Sequence, residues 1–306
     1  MKKTIETKKE AWLHAVRLRT LPLALASIFA GSFLAAWKDS FRWEILLLAS
    51  LTTIFLQILS NLSNDYGDTV HGADSADRQG PVRAVQSGLI SLAEMKRAMY
   101  FFGFLSLISG LFLLFLALQD WKLFAIFLGL GLAAIWASIS YTSGKNPYGY
   151  AGLGDISVFI FFGLLGVLGT YFLHTLSFEP IAIGIAVSLG CFSATVLNIN
   201  NIRDIDSDKL AGKRSIPVRI GREKAIQYNW ALIMTGNIFL GGFASTTGEW
   251  YTLLSFFAFL IMIKVGAGVQ MAKSSAETDP YLKKMALSTL LWVILFGIGL
   301  LFLGKS

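Results

Sequence analysis

Nine apolar stretches of about twenty residues recur along this chain, near 20–36, 44–64, 96–118, 122–140, 156–174, 180–201, 225–245, 250–272 and 282–303, each long enough to cross a bilayer as a helix. In hydrocarbon, backbone polar groups are satisfied only within helices or closed barrels, and uninterrupted apolar runs of this length read as helices. The expected fold is an all-α integral membrane protein of about nine transmembrane helices, forming one domain over 1–306.

Composition agrees. Charged residues make up 15% of the chain, against roughly 25% in ordinary soluble domains, and the mean hydropathy is +0.62. The basic N-terminus runs into a full-length span with no small-residue cleavage site, so it reads as a retained first helix rather than a signal peptide. The single cysteine, Cys191, excludes an intramolecular disulfide and a cysteine-rich metal site.

A formal net charge of +7 raises the question of nucleic acid, but the placement of the charges answers it. With nine spans, 22 of the 26 Lys and Arg residues fall on the side of the N-terminus, which the positive-inside rule makes cytoplasmic. No nucleic-acid partner is expected. The two long connections, roughly 65–95 and 202–224, lie on that same side, so function is expected at a site opening to the cytoplasm.

Both connections begin at an acid-rich helix end. After the second span comes Asn61-Leu-Ser-Asn64-Asp65-Tyr66-Gly67-Asp68, in which Asn64 and Asp68, four apart, share a helical face; Asp74 and Asp77 follow. The sixth span closes on Asn200-Asn201-Ile-Arg203-Asp204-Ile-Asp206-Ser-Asp208, which places Asn200, Asp204 and Asp208 on one stripe. A single such cluster reads equally well as a solvated helix end. Two on one face of a membrane protein repel each other unless a cation lies between them. Magnesium takes oxygen ligands and commonly bridges carboxylates to phosphate, which implies a diphosphate substrate. The acidic run lacks the glycine and closing glutamate of a calcium loop.

Basic residues surround the acids. Arg78, Arg83, Arg203, Lys209, Lys213 and Arg214 are candidates to hold a diphosphate and stabilise it as it leaves. Arg17 and Arg19, just before the first span, fit either a phosphate contact or a snorkelling anchor. A Gly- and Tyr-rich link, Tyr141 to Asp155, supplies Lys145 for a phosphate and Tyr141 to flank a cation or an aromatic ring. Asp65 and Asp206 lie off the main stripes and are candidates for deprotonation or for positioning a basic residue. His14, His71 and His174 show no zinc or triad spacing.

Asn64-Asp65-x-x-Asp68 and Asp204-x-x-x-Asp208 resemble the paired Asp-rich motifs of the UbiA superfamily of intramembrane prenyltransferases. Within it the sequence is most similar to members that act on 1,4-dihydroxy-2-naphthoate in menaquinone synthesis, through Gly80–Gly88, Tyr141–Asp155 and Asn201–Arg214. Many members carry a further acid where Gly72 stands here.

The resemblance implies that Asn64, Asp68, Asp204 and Asp208 hold Mg2+ on a polyprenyl diphosphate whose tail lies among lipid-facing helices, with Asp65, Tyr141 and Asp206 as catalytic candidates. It implies Arg19, Arg78, Arg83, Lys145, Arg203, Lys209, Lys213 and Arg214 as substrate contacts, and a bacterial cytoplasmic membrane with the N-terminus inside. The competing acceptors are 4-hydroxybenzoate and homogentisate. A secondary transporter is the reading from another class, but its site belongs near the bilayer midplane, where these spans carry almost no charge.

Overall fold

The computed structural model describes residues 7–72 and 83–303, and all regular structure among them is helical. Thr7 and Glu10 form a reciprocal capping box that starts α1 (Lys8–Val16). This segment does more than anchor the chain, because Ala11 and Ala15 bury against Ile58, Leu59 and Leu62.

Arg17 ends α1 in a left-handed conformation, φ 51°, which costs a non-glycine residue about 1–3 kcal/mol. A single 3-10 turn, Leu18–Thr20, then leads into α2 (Leu21–Trp37), with Pro22 in the first turn, where no intrahelical amide is lost. Asn61 holds this bend from the neighbouring helix, donating to the Val16 carbonyl (2.9 Å) and the Thr20 hydroxyl (3.0 Å).

The chain continues through α3 (Trp43–Val70), α4 (Leu92–Ala117), α5 (Trp121–Ser140), α6 (Gly154–Thr175) and α7 (Ala182–Arg203). Two short helices follow, α8 (Ile205–Leu210) and α9 (Ile216–Ile220), then α10 (Arg222–Thr247), α11 (Phe256–Met271) and α12 (Ser275–Ile298). The starts of α4, α5 and α12 are set by Ser91, Asp120 and Ser274, whose side chains each accept from an amide of the first turn.

Among the described residues eight helices are long and apolar enough to cross a membrane, counting α1 with α2 and the 3-10 turn Trp250–Ser255 with α11. Where the seventh span was expected, the chain forms the helix α10. At 26 residues it reaches about 39 Å, but its polar residues, Asn229 and Asn237 among them, keep it outside that set.

The bundle is organised around α7, which packs against α10, α6, α12 and α2. Phe192 of α7 meets Trp292 of α12, which stacks on Phe296. α6 approaches α7 so closely that a Cβ on Gly163 would lie 2.6 Å from the Ala186 carbonyl oxygen, the small-residue packing that joins helices in lipid. The middle of α6, Phe159–Gly169, is wound as a π-helix, a form that recurs near functional sites. α5 is the opposite case: Ala137 is its one buried residue, and it touches mainly α3 and α4. Between this loosely packed side and α2 and α6 a cavity is left open.

Candidate active site

The cavity, about 420 Å³, has a polar mouth and an apolar body. Asn64, Asp68, Arg83, Asn200, Asp204, Asp208 and Lys213 line the mouth, and Leu56, Leu107, Leu111, Phe127, Phe161 and Leu165 are typical of the body. Along α3 the lining extends from Asp68 back to Ala49, about 28 Å at 1.5 Å per residue. The shape fits an amphiphile with a charged head and a long hydrocarbon tail.

Asp68 sits on the last turn of α3, buried, and is held from three directions. Arg83 donates to one carboxylate oxygen (2.6 Å), while Tyr150 (2.9 Å) and the Lys213 ammonium (3.0 Å) meet the other. Asn64, one turn earlier, accepts from Thr142 (3.1 Å). This contact requires Gly67, because a Cβ there would collide with the Thr142 backbone. Gly152, at φ 84°, makes the matching approach to Arg214, whose amide donates to the Tyr150 carbonyl (2.9 Å). The Gly- and Tyr-rich link is thereby stitched to both acid-rich segments.

The second acid-rich end departs from one continuous helix. α7 stops at Arg203, and Asp204, at φ −100° and ψ 11°, joins it to α8. The stripe survives the break because the Asp204 amide donates to Asn200 (3.1 Å) and the Asp208 amide to Asp204 (2.8 Å). The Arg203 guanidinium grips Asp204 at both oxygens (2.8 and 2.5 Å) and also donates to Asn200 (2.9 Å) and Asp279 (2.6 Å).

Lys213 joins the two ends, its ammonium lying 3.0 Å from Asp68 and 3.2 Å from Asp208. Carboxylates from two motifs converge on one point that already demands a cation, and the donors around it are hard oxygens, the type magnesium takes. Among the described residues no three acids, histidines or cysteines form a metal cluster by themselves. A divalent ion here therefore depends on water and substrate oxygens to fill its shell.

Burial pushes the Asp208 carboxyl above its ordinary range, with Lys213 opposing the shift. Burial, then the field of Asp68, raises the Tyr150 phenol. For Tyr141 burial and then Asp155 do the same, so at neutral pH Tyr141 presents an uncharged ring to the cavity it lines.

The other expected residues divide. Arg19 lines the cavity and pairs with Asp279 (3.3 Å). Asp65 is turned away from the cavity onto Arg17 (2.5 Å) and Arg83 (2.9 Å), the arrangement of an acid that positions a base. Lys145, Asp206, Lys209 and Arg214 are exposed and do not line the cavity. Arg78, with Asp74 and Asp77, lies outside the described residues. Sequence reasoning missed Asp279 and gave Tyr150 no role. The signal for Asp279 was faint: with Glu277 it is one of two acids just before Pro280, at the end of a span on the same face as both motifs.

Comparison with known proteins identifies the family. The model of the UbiA prenyltransferase family matches residues 24–290. The chain belongs to the UbiA prenyltransferase family. The curated relatives include the 1,4-dihydroxy-2-naphthoate octaprenyltransferase of Haemophilus influenzae, 43% identical with 98% of each chain covered. The Escherichia coli protein of the same name is 41% identical with 96% of each chain covered. Among solved structures the fold is shared with a UbiA homolog from Aeropyrum pernix K1, TM-score 0.67, 17% identity, covering 92% of this chain and 97% of that one. It is shared as well with a UbiA homolog from Archaeoglobus fulgidus bound to GPP and Mg2+, TM-score 0.66, 16% identity, covering 95% and 99%. The chain is thus a multi-pass, all-helical UbiA-family prenyltransferase, of a fold that elsewhere holds a divalent metal.

Proposed function

We propose that this UbiA-family enzyme transfers a polyprenyl group from an allylic polyprenyl diphosphate to 1,4-dihydroxy-2-naphthoate, with loss of carbon dioxide, giving demethylmenaquinol for menaquinone synthesis. The observation that carries the reading is the meeting of two acid-rich helix ends on Lys213 at the mouth of a long apolar cavity. The acceptor is supported by the names of the two relatives above 40% identity over nearly the whole chain.

Asn64, Asp68, Asp204 and Asp208 are the residues that would hold magnesium, with Asn200 beside them. Bound there, the metal supplies positive charge against the departing diphosphate. Arg83 and Lys213 already lie at the mouth and can shift from carboxylate to phosphate oxygens as the donor enters. The cavity body keeps water from the allylic carbon. The neutral ring of Tyr141 offers its electron-rich face to positive charge developing there.

The bond changes balance without an added base. The allylic C–O bond breaks with its electrons going to diphosphate. The ring carbon bearing the carboxylate then attacks the allylic carbon, and the C–CO2 bond returns its electrons to the ring as carbon dioxide leaves. Asp65 and Asp206 are therefore not required as proton acceptors in this step.

The asymmetry of Lys and Arg supports a bacterial cytoplasmic membrane with the N-terminus and the cavity mouth inside, with α10 as the seventh of nine spans. Acids at helix ends, rather than at a midplane site, argue against transport.

The test is transfer by purified protein from a long allylic diphosphate to carboxyl-labelled dihydroxynaphthoate, with magnesium or with EDTA. Magnesium-dependent quinol together with released labelled carbon dioxide is the expected result. Product only with 4-hydroxybenzoate or homogentisate would overturn the acceptor, and no product with any acceptor would overturn the reading.

A further inference from the structure

Two ion-pair chains of the same order, Asp–Arg–Asp–Arg, run from the cavity mouth to one bend in the first helix. In the first, Asp68 meets Arg83 (2.6 Å), Arg83 meets Asp65 (2.9 Å) and Asp65 meets Arg17 (2.5 Å). In the second, Asp204 meets Arg203 (2.5 Å), Arg203 meets Asp279 (2.6 Å) and Asp279 meets Arg19 (3.3 Å). The chains start on different helices and end two residues apart, on either side of Leu18.

We propose that Asp279 is a positioning residue for the second acid-rich motif, the counterpart of Asp65 in the first, and that Arg19 steadies it. This rests on the prenyl-transfer reading for the role of Asp204. The Arg203 side chain is 2% exposed and forks onto Asp204 while also holding Asn200. That leaves its remaining terminal nitrogen facing Asp279. Without the carboxylate this nitrogen loses the charged acceptor that holds it in a buried site, and the guanidinium turns to recover one, taking Asp204 and Asn200 out of register.

A second contact ties the same two elements. The Ser275 hydroxyl, one turn before Asp279 on α12, donates to the Arg203 carbonyl (2.7 Å). The first two turns of α12 thus fix both the backbone and the side chain of Arg203. Asp279 and Arg19 are themselves 28% and 36% exposed in their side chains, so their pairing adds little to stability. Its effect falls on geometry.

The experiment compares wild type with Asp279→Asn, Asp279→Glu, Arg19→Gln and the Arg19→Gln/Asp279→Asn double variant. Two quantities are read: Mn2+ binding by electron paramagnetic resonance in the presence of an unreactive prenyl thiodiphosphate, and the magnesium dependence of transfer. Asp279→Asn should weaken Mn2+ binding and raise the half-saturating magnesium by about 10–100-fold, with KM for the aromatic acceptor unchanged. Asp279→Glu should restore part of the loss. Arg19→Gln should shift both readouts in the same direction by less, and the double variant should fall short of the sum.

Wild-type Mn2+ binding and magnesium dependence in Asp279→Asn would overturn the proposal. If that variant does not accumulate, Arg19→Gln decides it: a metal shift supports the arm, and its absence overturns it. Wild type that neither binds Mn2+ with the diphosphate nor transfers would instead defeat the prenyl-transfer reading.

Discussion

The two acid-rich helix ends carry the same oxygen donors, an Asn and an Asp four residues apart, on different supports. Asp68 rides on an unbroken α3 and is held by Arg83, Tyr150 and Lys213, all of which come from connections between helices. Asp204 sits at a break between α7 and α8 and is held by its own neighbour Arg203, which α12 fixes in turn. Groups on connections can move with an arriving diphosphate, whereas a guanidinium walled in by helices cannot. The first end is built to exchange partners, and the second to stay in place.

The severest test of this comparison is to remove one acid from each end. Asp68→Ala and Asp204→Ala should each lower transfer on the order of a thousandfold, since a metal held there would supply several kcal/mol of charge stabilisation. Folded protein should persist in the membrane, as judged by extraction and gel filtration. Near-normal turnover in either variant would break the symmetry of ligand chemistry. Next comes Lys213→Met, which deletes the cation shared by both ends. A loss of about 10²-fold in kcat/KM for the donor is expected, with little change in KM for the acceptor.

Gly67→Val probes the contact between the Gly- and Tyr-rich link and the first end. Its new side chain meets the Thr142 backbone, and overpacking of this kind costs about 1–3 kcal/mol. The thermal midpoint should fall, activity with it, and the half-saturating magnesium should rise because Asn64 loses its contact with Thr142. The smallest effect is expected at Asp206, which is exposed and off the cavity. Asp206→Asn should leave steady-state kinetics and metal dependence at wild-type values, and a large loss would mean that α8 turns inward when substrate is bound.

Much of this was legible in the sequence because lipid imposes simple rules. Span positions followed from hydropathy, and the ends of α2 through α7 fall within a few residues of expectation except where α3 runs on through Asp68. Asn64, Asp68, Asp204 and Asp208, which line one cavity, stood out as candidates because acids at the ends of apolar helices demand a reason.

What escaped the sequence depends on tertiary approach. The left-handed Arg17, the break at Asp204 and the turning of Asp65 away from the cavity leave no local mark. Asp279 lies 75 positions after Asp204 in the chain, and only the packing of α12 on α7 brings it to Arg203. Lys145, Lys209 and Arg214 look alike in sequence to Lys213, yet one lysine points inward and the others face outward.

The central claim is that both acid-rich ends contribute to one metal–diphosphate site. The most direct test is a structure of the protein with Mn2+ and an unreactive prenyl thiodiphosphate, locating manganese by its anomalous scattering. The account predicts manganese at the cavity mouth, contacted by oxygens of Asn64 or Asp68 and of Asp204 or Asp208, with Lys213 moved onto the diphosphate. Manganese bound at one end alone, with Lys213 still bridging Asp68 and Asp208, would contradict it.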